Sequence, residues 1–97
     1  MFRIYEIPVV FNEKHFNEVW IDPHYEEKHG DSVNDELILS LLARLSGKPW
    51  AIQMESRGFH FFEVDLELRG KLYRLILVVP PDASYLGVRN AYRRRSP

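Results

Sequence analysis

The sequence predicts a small single-domain α+β fold, two helices packed on a twisted antiparallel β-sheet. Three observations carry this. Residues 32–45 form an amphipathic stretch with a start and a stop signal. Residues 59–79 alternate apolar and polar positions about a glycine turn. The chain has 97 residues of which 45% are hydrophobic, enough for one core and no second domain.

The elements follow in chain order. Phe2 to Val10 is rich in aromatic and β-branched residues and is expected as a first strand, with Pro8 at an edge or an end. Residues 11–22 fit two patterns, a helical stripe of Phe16, Val19 and Trp20 or a strand over 18–21. Asp22-Pro23 marks a helix start, because Asp22 accepts from a first-turn amide and Pro23 has no donor to lose there. Glu26 and Glu27 suit the positive end of this short helix, Lys28 and His29 the negative end. Gly30 is expected to end it in a left-handed conformation.

Ser32, with Asp35 three residues on, predicts the start of the main helix. Val33, Leu37, Leu41 and Leu45 form its buried stripe, with Ile38 and Leu42 beside it. Ser46-Gly47 and then Pro49 stop it. Residues 50–55 are a strand candidate. Phe59 to Leu68 and Leu72 to Val79 form a hairpin. A turn at Gly70-Lys71 would pair Leu68 with Tyr73 and set Glu67 opposite Arg74. The run Leu75 to Val79 predicts a central strand. The phase change at Phe61-Phe62 calls for a bulge or twist. Pro80-Pro81-Asp82 is a turn, and Tyr85 to Ala91 a last strand that the chain leaves from Tyr92 onward.

Composition excludes several classes. Without cysteine there is no disulfide, no thiol nucleophile and no cysteine-ligated zinc. No apolar run approaches the ~20 residues of a membrane helix. Glu6 and Pro8 interrupt any secretory signal, so a cytoplasmic, soluble protein is expected. The net charge of −1 is uneven: residues 1–88 carry −5, whereas residues 89–97 carry four arginines and no acid. This basic end suits phosphate or an acidic protein groove, or simply water. So small a core also leaves room for a protein partner or a homodimer.

The sequence has no P-loop, no dinucleotide fingerprint and no HExxH zinc pattern. No metal site and no cofactor are expected. What remains is a set of His, Lys, Arg and Tyr. His29, His60 and Arg74 are the catalytic candidates, and Lys28, Arg89, Tyr92 and Arg93 the substrate-binding ones. Such residues suit phosphodiester cleavage, in which Arg or Lys neutralises phosphoryl charge while His or Tyr moves a proton. Each has a plainer role. Arg74 pairs with Glu67 or Asp65, His60 packs beside phenylalanines, and Tyr92 joins the core.

Three pieces carry a resemblance: Tyr25-Glu26-Glu27-Lys28-His29-Gly30, Gly70-Lys71-Leu72-Tyr73-Arg74-Leu75-Ile76, and Gly87-Val88-Arg89-Asn90-Ala91-Tyr92-Arg93-Arg94. Their layout resembles the RelE/ParE-like toxin superfamily, nearest its BrnT-like branch. The resemblance implies a toxin-like fold, metal-independent endoribonuclease activity on RNA or at the ribosome, and a cognate antitoxin over the active face. It maps the family's basic residues to Lys28, His29, Arg74, Arg89 and Arg93. The acidic body and the long segment 2–22 depart from that pattern. Two other readings stand beside it: a non-enzymatic protein-interaction module acting through Trp20, Trp50, Tyr85 or the basic end, and a nucleic-acid binder without catalysis.

Overall fold

The structure is a computed structural model that describes residues 1–45, 47 and 49–95. Among the described residues, eight strands and two helices run in the order β1 (Arg3–Tyr5), β2 (Val9–Phe11), β3 (Lys14–Phe16), β4 (Val19–Ile21), a 3-10 turn (Pro23–Tyr25), α1 (Glu26–His29), α2 (Asp35–Leu42), β5 (Met54–Ser56), β6 (Phe59–Leu68), β7 (Lys71–Val79) and β8 (Leu86–Arg94). This is a compact α+β domain. Six strands form one sheet in the order β1-β4-β8-β7-β6-β5, and β2 and β3 form a separate hairpin. The sheet is mixed rather than wholly antiparallel, because β4 and β8 run parallel.

The expected first strand is broken. Glu6, Ile7 and Pro8 separate β1 from β2, as a proline without a donor would require. The ambiguous stretch 11–22 becomes strands β3 and β4. Asn12 and Glu13 form the turn between β2 and β3, both with positive φ (50° and 66°). Asp22 caps the 3-10 turn, accepting from the His24 amide at 2.9 Å. Gly30 stays right-handed (φ −63°), so α1 does not end in the left-handed conformation the glycine allows. The main helix starts later than Ser32. Asn34 is its cap and accepts from the Leu37 amide at 2.8 Å. Ile38, Leu41 and Leu42 face the core from it, while Val33 and Leu45 are buried just outside its ends. Ser46, read as part of the stop, lies outside the described residues.

The long hairpin forms two residues out of the expected register. Arg69 and Gly70, both with positive φ (54° and 79°), make the turn. Leu68 therefore meets Lys71, Leu66 meets Tyr73, and Arg74 faces Asp65 instead of Glu67. The apolar face survives because a shift of two keeps every side chain on its face. β7 lies inside the sheet as expected. The irregularity falls on β8 rather than near Phe61: Ile76 pairs with Asn90 and Leu77 with Val88, leaving Arg89 as the extra residue. β8 continues to Arg94, so Tyr92 and Arg93 remain in the sheet.

The core lies between one face of the sheet, α2 and the β2–β3 hairpin. Phe11, Phe16, Ile21, Ile38, Leu41, Leu75, Leu77 and Leu86 are among its fully buried members. One carboxylate ties its margin together. Asp35, the first residue of α2, accepts from Arg3 Nε at 2.6 Å, a second Arg3 nitrogen at 2.9 Å, the Tyr25 hydroxyl at 2.7 Å and the Tyr5 hydroxyl. Burial alone would push this carboxyl up. The three donors outweigh burial and hold it at about 2, below its ordinary 3.8. Burial and the same carboxylate push the Tyr25 hydroxyl well above the usual tyrosine value.

Between about pH 4 and pH 2 the unfolded chain binds a proton that native Asp35 refuses, so stability rises with pH across that window. Urea midpoints should hold steady near neutrality and fall on acidification through it. In Asp35→Asn that fall should be shallower and the unfolding free energy at neutral pH lower by about 2–4 kcal/mol, since Arg3 loses its main partner. A second check concerns Gly87. A methyl there would lie 2.5 Å from Val78 Cγ1 and 3.3 Å from the Tyr85 ring. Gly87→Ala should cost about 1–3 kcal/mol in thermal unfolding and perturb the near-UV signal of Trp20, which stacks on Tyr85.

Candidate functional site

Among the described residues, no helix lies over the centre of the sheet face turned away from α2. The segment from Pro23 to His29 walls one side of it. β8 outruns its parallel partner: β4 ends at Ile21, level with Val88. The chain then turns against the uncovered part of β8, anchored by the Asp22 amide donating to the Val88 carbonyl at 2.9 Å. The buried Tyr25 holds this segment to Asp35. The result sets His29 on β8, its ring 5.2 Å from that of Tyr92 at a tilt of 32°.

Tyr92 shares its face with Arg74, its direct partner in the sheet. Arg74 lies 2.8 Å from Asp65 and 3.2 Å from Glu63, and Arg94 lies 2.7 Å from Asp65. Asp65 first, then Tyr92, hold the Arg74 charge well above its usual range. The Asp65 carboxyl is lowered in turn, chiefly by Arg74. Arg74 thus fills its fork with carboxylate, the plainer of the two roles the sequence allowed.

One step up the same strands, a hollow of about 380 Å³ is lined by His24, Met54, Phe61, Ile76, Arg89 and Asn90. Arg89 follows the buried Val88 and so lies on this face, and the bulge keeps Asn90 and Tyr92 on it as well. The Arg89 guanidinium is exposed and sits 5.9 Å above the Phe61 ring. His24 and Arg89 also line a second hollow of about 680 Å³ that includes Glu26 and Glu27. Lys28 is exposed on α1 beside His29 and forms no ion pair among the described residues.

The seven candidates therefore divide. His29, Tyr92 and Arg74 come together from three distant parts of the chain. Arg89 stands in the adjoining hollow, and Lys28 is exposed on α1 next to His29. Two do not join them. His60 pairs with Val79 on the core side of β6, among phenylalanines as its neighbours predicted. Arg93 pairs with Tyr73 on that side too, exposed at the end of the sheet. His24, Phe61 and Asn90 line the groove and were not among the candidate site residues read from the sequence. His24 carried one signal, its place beside the cap Asp22. Phe61 and Asn90 became neighbours only through the strand register. No protein-family model matches this chain, no curated protein matches it in sequence, and no solved structure matches its fold.

The two arginines should behave differently when removed. Arg74→Met leaves Glu63 without its cation and Asp65 with Arg94 alone, and should lower stability by about 1 kcal/mol in urea unfolding. Arg93→Ala should change it by less than about 0.5 kcal/mol.

Proposed function

We propose that the groove along β8 binds RNA and cleaves it without a metal, in the manner of the toxins the sequence resembles. The observation that carries this reading is the meeting of His29, Tyr92 and Arg74 beside an exposed Arg89. In this reading the RNA's own 2′-hydroxyl attacks the adjacent phosphorus. The imidazole of His29 takes the 2′-proton, the bond from phosphorus to the 5′-oxygen breaks, the leaving 5′-oxygen takes a proton from water, and a 2′,3′-cyclic phosphate remains. Arg89 and Lys28 neutralise the charge that grows on the phosphoryl oxygens. Arg74, committed to Asp65, is a positioning residue for Tyr92 rather than a phosphate ligand. A cognate antitoxin would cover the same groove. His60 and Arg93 have no part in this chemistry, given where they stand.

A second reading has its own observation. Phe2, Trp20 and Tyr85 form an aromatic layer on the outer face, with ring centroids 5.7 Å and 4.0 Å apart, and Ile4 is half exposed beside it. Exposed aromatic layers favour protein interfaces. Among the described residues, no helix is long and apolar enough to cross a membrane.

The test is tightly controlled expression in bacterial cells, with messenger ends mapped by primer extension. Parent protein should create new ends that are absent with His29→Gln/Arg89→Ala. On purified ribosomes, His29→Gln alone should lower the cleavage rate by about 10²-fold or more. Intact RNA alongside soluble, folded parent protein would overturn the nuclease reading in favour of the interaction module.

A further inference from the structure

The bulge on β8 sets two donor-bearing side chains next to each other. In a regular strand consecutive residues point to opposite faces. Because Ile76 pairs with Asn90 and Leu77 with Val88, Arg89 and Asn90 share the outer face, and both line the hollow of about 380 Å³. His24, Met54, Phe61 and Ile76 complete its lining, and all six residues are exposed or half-buried. Met54 is the cross-strand partner of Phe61, and Ile76 that of Asn90. The Arg89 guanidinium lies 5.9 Å from the Phe61 ring centroid. The floor is thus apolar and aromatic, with donors beside it.

The polarity of those donors is fixed. The Asn90 Oδ1 accepts from the Ala91 amide at 2.9 Å, which leaves the two N–H donors of Nδ2 for a ligand. Arg89 forms no ion pair among the described residues. Its guanidinium carries five donors, enough to serve a phosphate and a base edge. No carboxylate lines the hollow among the described residues. Glu63, the partner of Ile76 on β6, is held by Arg74 at 3.2 Å. His24 sets Nδ1 against the Glu27 carboxylate at 3.1 Å, and in the neutral ring Nε2 is then an acceptor.

We infer that this hollow is a guanine subsite for the nucleotide next to the one cleaved, its ring against Phe61 and its O6/N7 edge on Asn90 and Arg89. The inference rests on the RNA reading of the groove. Asn90 stands two residues from Tyr92 on β8, a step of about 7 Å that a neighbouring nucleotide spans. Guanine offers two adjacent acceptors on that edge, O6 and N7. Adenine puts its 6-amino group where O6 stands, donor against donor, and leaves Asn90 unpaired. The N1–H of guanine, next to O6, suits the His24 acceptor. The aromatic floor holds any base, and the donors choose among them.

The test is an amide-shift titration of the whole chain with 5′-monophosphates, which carry the same phosphate and differ only in the base. Guanosine and inosine monophosphates share O6 and N7, and both should shift Phe61, Ile76 and Asn90 and bind at least about fivefold tighter than adenosine monophosphate. Asn90→Asp keeps the oxygen that accepts from Ala91 and replaces the Nδ2 donors by an acceptor. At an unchanged melting temperature it should bring the guanylate-to-adenylate ratio to one or below. Equal binding of guanylate and adenylate by the parent protein would overturn the proposal, and so would an unchanged ratio in folded Asn90→Asp. Cleavage is read separately. Intact RNA in cells together with a guanylate preference in the titration would remove the nuclease and support the base subsite. New RNA ends without that preference would overturn the subsite alone.

Discussion

The arrangement hangs on one carboxylate. Asp35 opens α2, where the helix dipole favours a negative charge, and gathers Arg3, Tyr5 and Tyr25. Those donors belong to the edge strand β1 and to the 3-10 turn before α1. A three-residue edge strand and a one-turn helix have little stability of their own. Held on a partly buried carboxylate, which is 14% exposed, they become fixed parts of the domain. Arg3 then reaches Glu26 at 2.7 Å and extends the tie to α1.

That tie has a consequence on the far side of the sheet. Because β4 stops level with Val88, the lower half of β8 has an open edge. The Pro23–His29 segment occupies it, carrying His24 to the bulge at Arg89 and His29 to Tyr92. The bulge matters as much as the helix. From the buried Val88, strict alternation would put Asn90 and Tyr92 on the core side, and the extra residue returns both to the face that Arg89 occupies. The groove is thus a product of three irregularities: a short strand, a one-turn helix and a bulge. The rest of the outer face has a different character, with Tyr85 laid over Gly87 and stacked on Trp20.

Much of this was legible in the residues, and the failures have physical causes. Alternation identified β6 and β7 and gave each residue its face. It could not choose between registers two apart, since both satisfy the same pattern. The turn decided: a two-residue loop with both positions left-handed needs one residue besides glycine, and Arg69 takes that place. The partner of Arg74 moved with it, to Asp65. Asp35 was visible as a first-turn acid, but its partners are ten or more residues away and leave no local trace. The parallel pairing of β4 with β8 joins segments 67 residues apart in sequence, from Val19 to Leu86, and it too has no local signature. Of the histidines, His29 followed from its helix, whereas His60 faced the core side because its strand parity put it there.

The most direct measurement is the nuclear Overhauser contact between the His29 imidazole and the Tyr92 ring, taken on the parent chain and on Asp35→Asn. The account predicts cross-peaks in the parent, as the 5.2 Å centroid separation requires, and their weakening in a folded Asp35→Asn variant. Absence of those cross-peaks from the parent would contradict the groove. Equal intensity in the two proteins would contradict the role given to Asp35.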